Sequence, residues 1–314
     1  MVKSAVNQIS PAKQFLLFVA VFGAVFIVGN LLGIAIIAAT YGLSLVMDIA
    51  RLNFSNPQSI TALYILQIVT TTIPIFVAPM LFAYWVMKNP REYIKPSFRL
   101  PWMLFVITFF VMLISSPLIE FLGNLNQQMA LPRWLHGLEQ WMKSSEESAR
   151  QITVAILKMN TVWDCIKNII LIGFLTAVAE EFMFRGGLQT IFTKWTKNTH
   201  VAIWVTAAIF SAFHMEFYGF LPRLLLGALF GYFTAYSGSI WPAVWGHFLN
   251  NGTAVLVTYL YQKRHIKVNP DDTHVFSYPA YIFSGLIIII LLLVYKKIAL
   301  EKKINPALHG KELG

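Results

Sequence analysis

The chain has 314 residues, of which 57% are apolar, 15% aromatic and only 12% charged. An average soluble domain carries about a quarter charged residues, so this composition excludes a water-soluble globule and a disordered chain. The single cysteine, Cys165, excludes an intrachain disulfide. The net charge of +10 would suggest a nucleic-acid partner in a soluble protein. In a membrane protein it indicates basic loops on the cytoplasmic side, and no nucleic-acid partner is expected.

Eight apolar segments are candidates to cross a bilayer as helices, which need about 20 mostly apolar residues each. They are 14–40, 61–87, 101–123, 166–193, 200–217, 222–238, 240–262 and 276–298. The first stays uncharged from Gln14 to Met47, much longer than a signal-peptide core of about 7–15 residues, so it is expected to be a retained anchor. The predicted fold class is all-α: a polytopic membrane protein with about eight transmembrane helices.

Lysine and arginine residues are distributed unevenly between these helices. If the N-terminus lies inside, the inner segments carry more of them than the outer segments, and several of the outer ones lie in one long loop. Basic residues in short loops tend to remain in the cytoplasm. Both termini are therefore predicted to be cytoplasmic, with a basic tail after the last helix.

The segment 124–163, between the third and fourth helices, has a pattern of its own. Five apolar residues recur in it at helical spacing: Leu131, Trp134, Leu135, Leu138 and Trp141. This pattern predicts an amphipathic helix lying in the membrane interface, with an ordinary surface helix as the alternative. Ser144 and Glu147 fit a capping box that would start a second helix running toward Met159.

Ionisable residues inside apolar segments are costly at bilayer depth and are therefore candidates for function. They are concentrated in the four consecutive segments after the long loop. In the first of these, Glu181 and Arg185 are four residues apart and are expected to form an ion pair on one helix face. Glu180 points about 100° away from Glu181 and has no partner nearby in the sequence. It is the predicted general base, while a structural charge cluster is the alternative for all three residues.

The next segment contains His214, one helical turn after Phe210. A lone histidine in a membrane helix is often only a hydrogen-bonded packing residue, so this position is weak evidence by itself. Glu216 and Arg223 flank the turn that follows, and they are expected to pair across it for structural reasons.

A further segment contains His247 and Asn251, which are four residues apart and share a helix face. Two polar side chains on one buried face can donate hydrogen bonds toward a common point. An oxyanion at a carbonyl under attack requires this arrangement. A polar contact between helices is the alternative for each residue taken alone.

Three motifs in order carry a family resemblance. Glu-Glu-x-x-x-Arg at 180–185, Phe-x-x-x-His at 210–214 and His-x-x-x-Asn at 247–251 lie on successive apolar segments. They resemble the motifs of the CAAX protease and bacteriocin-processing family, the Abi family of intramembrane endopeptidases, which includes the eukaryotic CAAX prenyl endopeptidase. The resemblance covers about residues 165–260, roughly a third of the chain.

The resemblance implies hydrolysis of a peptide bond inside the membrane. It implies that Glu180 and His214 activate the attacking water and that His247 and Asn251 form the oxyanion hole. Three further residues are assigned to supporting the site. Glu181 and Arg185 are expected to orient it, and Phe210 is expected to pack the helix on which His214 lies. The predicted regions are an N-terminal membrane region at 1–164, a catalytic core at 165–262, and a final span with a basic tail at 263–314.

The expected partners are the lipid bilayer and a membrane-associated peptide or protein, with or without a lipid. The family name suggests a prenylated CAAX peptide, whereas a peptide pheromone, a bacteriocin precursor or a membrane-protein tail is equally consistent with the residues. The chain resembles bacterial members of the family, so the bacterial inner (plasma) membrane is the expected location.

Dependence on a metal is open at this point. Glu180, His214 and His247 could supply one carboxylate and two imidazoles to a zinc ion with one position left for water. The chain has no H-E-x-x-H motif, which would place two histidines on one helical turn. A mechanism without a cofactor, which depends on the glutamate, accounts for every residue and is the expectation, with zinc as the alternative.

Two other classes of membrane protein compete with the peptidase. A proton- or ion-coupled transporter also uses buried ionisable residues, but it would be expected to show two related halves, and here these residues are confined to one half. A non-catalytic bacteriocin-immunity or scaffold protein could be built on the same helices. The H-E-x-x-H, G-x-S-G and G-x-G-D motifs of other intramembrane proteases do not occur in the chain.

Overall fold

The computed structural model describes residues 9–267 and 275–304, and the regular secondary structure of these residues is entirely helical. The helices are α1 Pro11–Tyr41, α2 Leu43–Ala50, α3 Ser59–Val86, α4 Pro90–Ile94, α5 Met103–Gln127, α6 His136–Ile156, α7 Val162–Thr196, α8 Thr199–Phe213, α9 Phe220–Ser237, α10 Trp241–Gln262 and α11 Tyr278–Ile304. Single 3₁₀ turns lie at Arg133–Leu135 and Phe217–Gly219. The predicted all-α fold class is confirmed.

Each of the eight predicted apolar segments coincides with one helix of this list. Helices α1, α3, α5, α7 and α11 are long and apolar enough to cross a membrane by themselves. Helix α8 is apolar but shorter, and α9 and α10 are less apolar than these five helices. The last part of the predicted basic tail, from residue 305 onward, lies outside the described residues.

At one end of the helices, a buried polar network joins α1, α4 and α7. The fully buried Tyr93 donates its hydroxyl to Gln14 Oε1 at 2.6 Å and accepts from Lys194 Nζ at 2.7 Å. Lys95 Nζ donates to Thr190 Oγ1 at 2.7 Å. We call these five residues the tyrosine cluster. All of them lie near helix ends that the sequence assigns to the same side of the membrane.

The opposite end of the bundle is joined by a different set of contacts. The side chain of Gln262, at the end of α10, accepts from the backbone N–H of Met159 at 3.0 Å. Asn126, at the end of α5, donates to the carbonyl of Phe217 at 3.1 Å. The start and the end of α7 therefore lie at opposite ends of the bundle, each joined to different helices.

Helix α7 carries both glutamates and is irregular along its length. A capping box starts it, because Thr161 Oγ1 accepts from Asp164 N and Asp164 Oδ2 accepts from Thr161 N. Two π-helical stretches, Ile169–Leu175 and Phe182–Leu188, flank the short α-helical stretch Thr176–Glu181. Such π-helical turns often occur at functional sites.

Close backbone contacts join α7 to α10 and α8 to α9. A Cβ atom on Gly173 would lie 3.3 Å from the Cα of Gly252, so α7 and α10 touch with almost no side chain between them. A Cβ atom on Gly227 of α9 would lie 3.1 Å from the Cα of Ala207 on α8. These contacts fix the distances between the helices that carry the predicted site residues.

The segment before α7 corrects one prediction. The structure has a single helix, α6, that runs through Ser144 without a break, so the predicted capping box there is wrong. Ser144 Oγ donates to the carbonyl of Trp141, and Glu147 binds Arg150 instead of capping a helix. The residues around Ser144 favour a helix and include no proline or glycine. The helix that begins at His136 therefore does not end before Ser144. Placement of α6 in the membrane interface stays a prediction.

Candidate active site

The structure brings Glu180, His214 and His247 together from three helices. Glu180 lies in the middle of α7, His214 directly follows α8, and His247 lies in α10. The Oε2 atom of Glu180 is 3.7 Å from Nε2 of His214 and 3.8 Å from Nε2 of His247. With Glu181 and Arg185 these residues form what we call the glutamate cluster.

Glu180 is buried yet makes no hydrogen bond among the described residues. Its side chain is only 9% exposed, and Oε2 is enclosed without a donor. Both histidine contacts are longer than a normal hydrogen bond. A buried polar atom without a partner is rare in a folded protein and often marks a functional group. Glu180 has no hydrogen-bond partner on its own helix, and its contacts come from two other helices.

Glu181 and Arg185 form the predicted ion pair, with both side chains completely buried. Arg185 Nη1 lies 3.0 Å from Glu181 Oε1, and Nη2 donates to the carbonyl of Gly227 at 2.8 Å. The guanidinium centre also lies 4.7 Å from the ring centroid of Phe210 and 5.3 Å from that of Phe230. A charge pair buried this deeply needs such additional contacts to offset its desolvation.

The orientation of His214 follows from one backbone contact. Its Nδ1 lies 2.8 Å from the carbonyl oxygen of Phe210, which can only accept, so Nδ1 carries the hydrogen. In the neutral ring Nε2 is then unprotonated, and this is the atom that faces Glu180. The ring of Phe210 packs edge-on against His214 at 4.9 Å and against His247 at 5.8 Å. Phe210 thus packs the site as predicted and also orients His214 through its carbonyl.

His247 is held by a carboxylate and an aromatic ring. Its Nδ1 lies 2.9 Å from Glu181 Oε1, the same oxygen that binds Arg185. The imidazole stacks on Phe230, with ring centroids 5.0 Å apart and an interplanar angle of 15°. These contacts direct Nε2 toward Glu180.

Asn251 is not in hydrogen-bond contact with the glutamate cluster among the described residues. It lies one turn after His247 on α10, and its Nδ2 donates to the carbonyl of Ile172 on α7 at 3.3 Å. Its Oδ1 accepts from Nδ2 of Asn250 at 3.1 Å. The predicted pair therefore shares a helix face, but only His247 reaches Glu180.

The zinc alternative requires three ligand atoms about 2.0–2.1 Å from one point. Glu180, His214 and His247 have the right donor chemistry. Among the described residues, however, no group of three or more His, Cys, Asp and Glu side chains is arranged to hold a metal ion. The proposed mechanism therefore uses no metal, and zinc stays the alternative for these three residues.

The loop between α8 and α9, beside the site, is held by residues inside and outside the segment that carries the motifs. Arg223 binds Glu216 through the side chain and through the carbonyl oxygen, as expected across the turn. Asn126 and Glu146 also bind this loop, from outside the segment that carries the motifs. Asn126 is a polar residue at the end of an apolar helix, which is a weak signal, while Glu146 is one charge among several on α6.

Comparison with known proteins agrees with the motifs. Residues 162–253 match the family model described as Type II CAAX prenyl endopeptidase Rce1-like. This core is similar to the Rce1-like endopeptidases. The predicted family resemblance is thereby confirmed for the segment that contains all four predicted catalytic residues, and the match supports an intramembrane peptidase of the CAAX type.

One curated relative is the uncharacterized protein YpbD of Bacillus subtilis (strain 168). It is 28% identical to this chain over 116 residues, which is 36% of this chain and 55% of the relative. The match thus spans about half the length of that relative. No solved structure matches the chain.

Proposed function

We propose that the protein is an intramembrane endopeptidase that hydrolyses a peptide bond of a membrane-associated or lipidated peptide or protein. One observation carries the proposal: a buried carboxylate oxygen of Glu180 has no hydrogen-bond partner among the described residues and lies within 3.8 Å of two histidine Nε2 atoms. A structural carboxylate at this depth would be expected to be paired, as Glu181 is.

In the proposed first step, Glu180 acts as general base on a water molecule positioned by His214. The carboxylate accepts a proton as the water oxygen forms a bond to the peptide carbonyl carbon. The carbonyl π electrons move to oxygen and give a tetrahedral oxyanion. The proton is then returned to the leaving nitrogen as the C–N bond breaks, either from Glu180 or through His214 Nε2.

The developing oxyanion needs donors, and His247 and Asn251 are the proposed ones. To donate, His247 Nε2 must carry a proton while Nδ1 donates to Glu181, so the ring is a cation in that state. In that state Glu180 holds the proton from water, so the charges of Glu181 and the oxyanion balance those of Arg185 and the imidazolium, which favours burial of the whole group. Asn251 would exchange its contact with Ile172 for the oxyanion.

The substrate and the location are parts of the same proposal. A prenylated CAAX peptide is the first substrate to examine because of the family match, followed by unlipidated hydrophobic peptides. We place the protein in the bacterial inner membrane with both termini in the cytoplasm. On that assignment, α6 and the loop beside His214 lie on the outer side.

The test uses the full-length protein in detergent, with a farnesylated fluorogenic CAAX peptide and an unprenylated peptide of the same sequence. We expect cleavage of at least one peptide, and Glu180→Ala or His214→Ala should lower kcat by about 100- to 10,000-fold, the range for loss of a general base. The matched control is Glu147→Ala, an exposed carboxylate on α6, which should cleave normally.

Three results would contradict the proposal. Full activity of a folded Glu180→Ala variant would remove the general base. Loss of activity on exhaustive chelation, restored by zinc, would replace the metal-free mechanism with the zinc one. Proton-coupled flux in liposomes that depends on Glu180, with neither peptide cleaved, would favour a transporter.

A further inference from the structure

The loop that follows His214 is under backbone strain. Met215, the next residue, has a φ of +56°, in the left-handed region that side chains with a Cβ avoid. Such a conformation is unfavourable by itself and persists only where the surroundings hold it. We call residues 214–219 the histidine loop. Its conformation determines where His214 lies relative to Glu180.

Two side chains from outside the family-matched segment hold the same peptide group of this loop. Asn126 Nδ2 donates to the carbonyl of Phe217 at 3.1 Å, and Glu146 Oε2 accepts from the N–H of Tyr218 at 3.1 Å. The carbonyl and the N–H of one peptide unit are thus both bonded to side chains. Asn126 also accepts from Leu221 N at 2.7 Å, which fixes the start of α9.

Contacts around this clamp tie α6 to the histidine loop. The ring centroids of Trp141 and Phe217 are 5.6 Å apart, and Tyr218 Oη donates to Glu139 at 3.5 Å. Within the loop, Arg223 binds Glu216 and passes so close to Gly219 that a Cβ there would lie 2.3 Å from its Nη1. The peptide unit between 217 and 218 is therefore held from α5, from α6 and from its own loop.

Electrostatics connect the clamp to the general base. Arg223 interacts with the carboxylates of both Glu146 and Glu180. The charge of Glu146 therefore contributes to the electrostatic environment of Arg223, whose ion-pair partner is Glu216. Removing Glu146 would release the Tyr218 N–H and leave Arg223 with one acidic neighbour fewer.

We propose that Asn126 and Glu146 are positioning residues that hold His214 in reach of Glu180. The proposal rests on the proposed function of His214 and extends the catalytic machinery to the N-terminal region, outside residues 162–253. Neither side chain touches the reacting atoms. Both act through the backbone of the histidine loop.

The first test separates kcat from KM with the farnesylated fluorogenic peptide. Glu146→Ala should lower kcat about 10- to 100-fold, the range for a small misplacement of a catalytic group, with KM unchanged. Glu146→Gln keeps an acceptor for the Tyr218 N–H and should restore most of kcat. Glu147→Ala, one residue along α6, and Gln127→Ala, beside Asn126, are the matched controls and should behave as wild type.

A second measurement does not depend on activity. Hydrogen exchange of residues 214–221 should become about tenfold faster in Glu146→Ala and in Asn126→Leu, because the bonded amides of Tyr218 and Leu221 are released. Carbethoxylation of His214, followed by mass spectrometry, should also accelerate in both variants. Neither rate should change in Glu147→Ala.

The outcomes distinguish the two proposals. If the wild-type protein cleaves no peptide but exchange and carbethoxylation accelerate as described, the proposed function fails and the positioning of His214 stands. If Glu180-dependent cleavage is present and Glu146→Ala retains full kcat, or changes only KM, the positioning role is overturned. Unchanged exchange in Glu146→Ala and Asn126→Leu overturns the clamp itself.

Discussion

The glutamate cluster and the tyrosine cluster are both buried and polar, but they satisfy their polar atoms to different degrees. In the tyrosine cluster, no buried side-chain nitrogen or oxygen lacks a partner among the described residues. The glutamate cluster leaves Oε2 of both glutamates and Nε of Arg185 without one. Since an unsatisfied buried group is costly, the difference supports the proposed division between a cluster that joins helices and one that keeps groups available for a reaction.

The largest expected effect on stability comes from breaking the ion pair in the glutamate cluster. Arg185→Met would leave Glu181 buried without its cation, and it should cost about 3–5 kcal/mol of unfolding free energy. Thermal unfolding in detergent measures the loss. The double variant Glu181→Gln/Arg185→Met should recover part of it. Equal stability of the single and double variants would mean that the two charges are not coupled.

A smaller loss is expected in the tyrosine cluster. Tyr93→Phe removes one hydroxyl that serves both Gln14 and Lys194, and leaving such groups unpaired costs about 1–3 kcal/mol. Peptide cleavage at a temperature where the variant is folded should be unchanged, because the cluster has no proposed part in the reaction. A fall in kcat without a fall in stability would break the distinction between the two clusters.

Glu180→Gln tests the difference between the two clusters from the side of the glutamate cluster, where we expect activity to fall without a loss of stability. An amide of nearly the same shape removes a buried charge that has no hydrogen-bond partner, so the unfolding free energy should stay the same or rise by about 1 kcal/mol. Cleavage should fall in the same protein. A variant that is both inactive and clearly less stable would show that Glu180 supports the fold in the same way as Glu181.

The smallest expected effect is a dependence of stability on pH at the tyrosine cluster. Burial lowers the pKa of Lys95 to about 8, with the carboxylate of Glu92 opposing the shift. Above that pH the folded state has lost the proton while the unfolded state still binds it, so stability should rise from about pH 8 to pH 10. Lys95→Met should reduce this rise, as measured by unfolding at several pH values. An identical rise in the variant would assign it to other groups.

The sequence predicted the parts of the site that depend on local spacing. Glu181 and Arg185 pair because they are four residues apart on one helix, and Glu180 has no partner on that helix because it points in another direction. Long, mostly apolar runs in the sequence predicted the eight helices. These features depend on residues close together in the sequence, so the sequence alone is enough to predict them.

Features set by contacts between distant segments could not be predicted. The bond from Asn251 to Ile172 depends on how closely α10 packs against α7, and the clamp of Asn126 and Glu146 depends on where α6 lies. The predicted helix start at Ser144 was wrong because an uninterrupted run of helix-favouring residues continues the helix through that position. No periodicity in the sequence marked the two π-helical stretches of α7.

The second of these π-helical stretches sets the rotational register of everything after it in α7. A π-helical turn holds an additional residue compared with an α-helical turn, so an α-helical Phe182–Leu188 would turn the following residues by about 100° around the helix axis. Gln189, which donates to the carbonyl of Gly231, and Thr190, which accepts from Lys95, would both face away from their partners. The π-helical stretch therefore lets one helix present its glutamates to the neighbouring histidines and still connect its other end to Gly231 and Lys95.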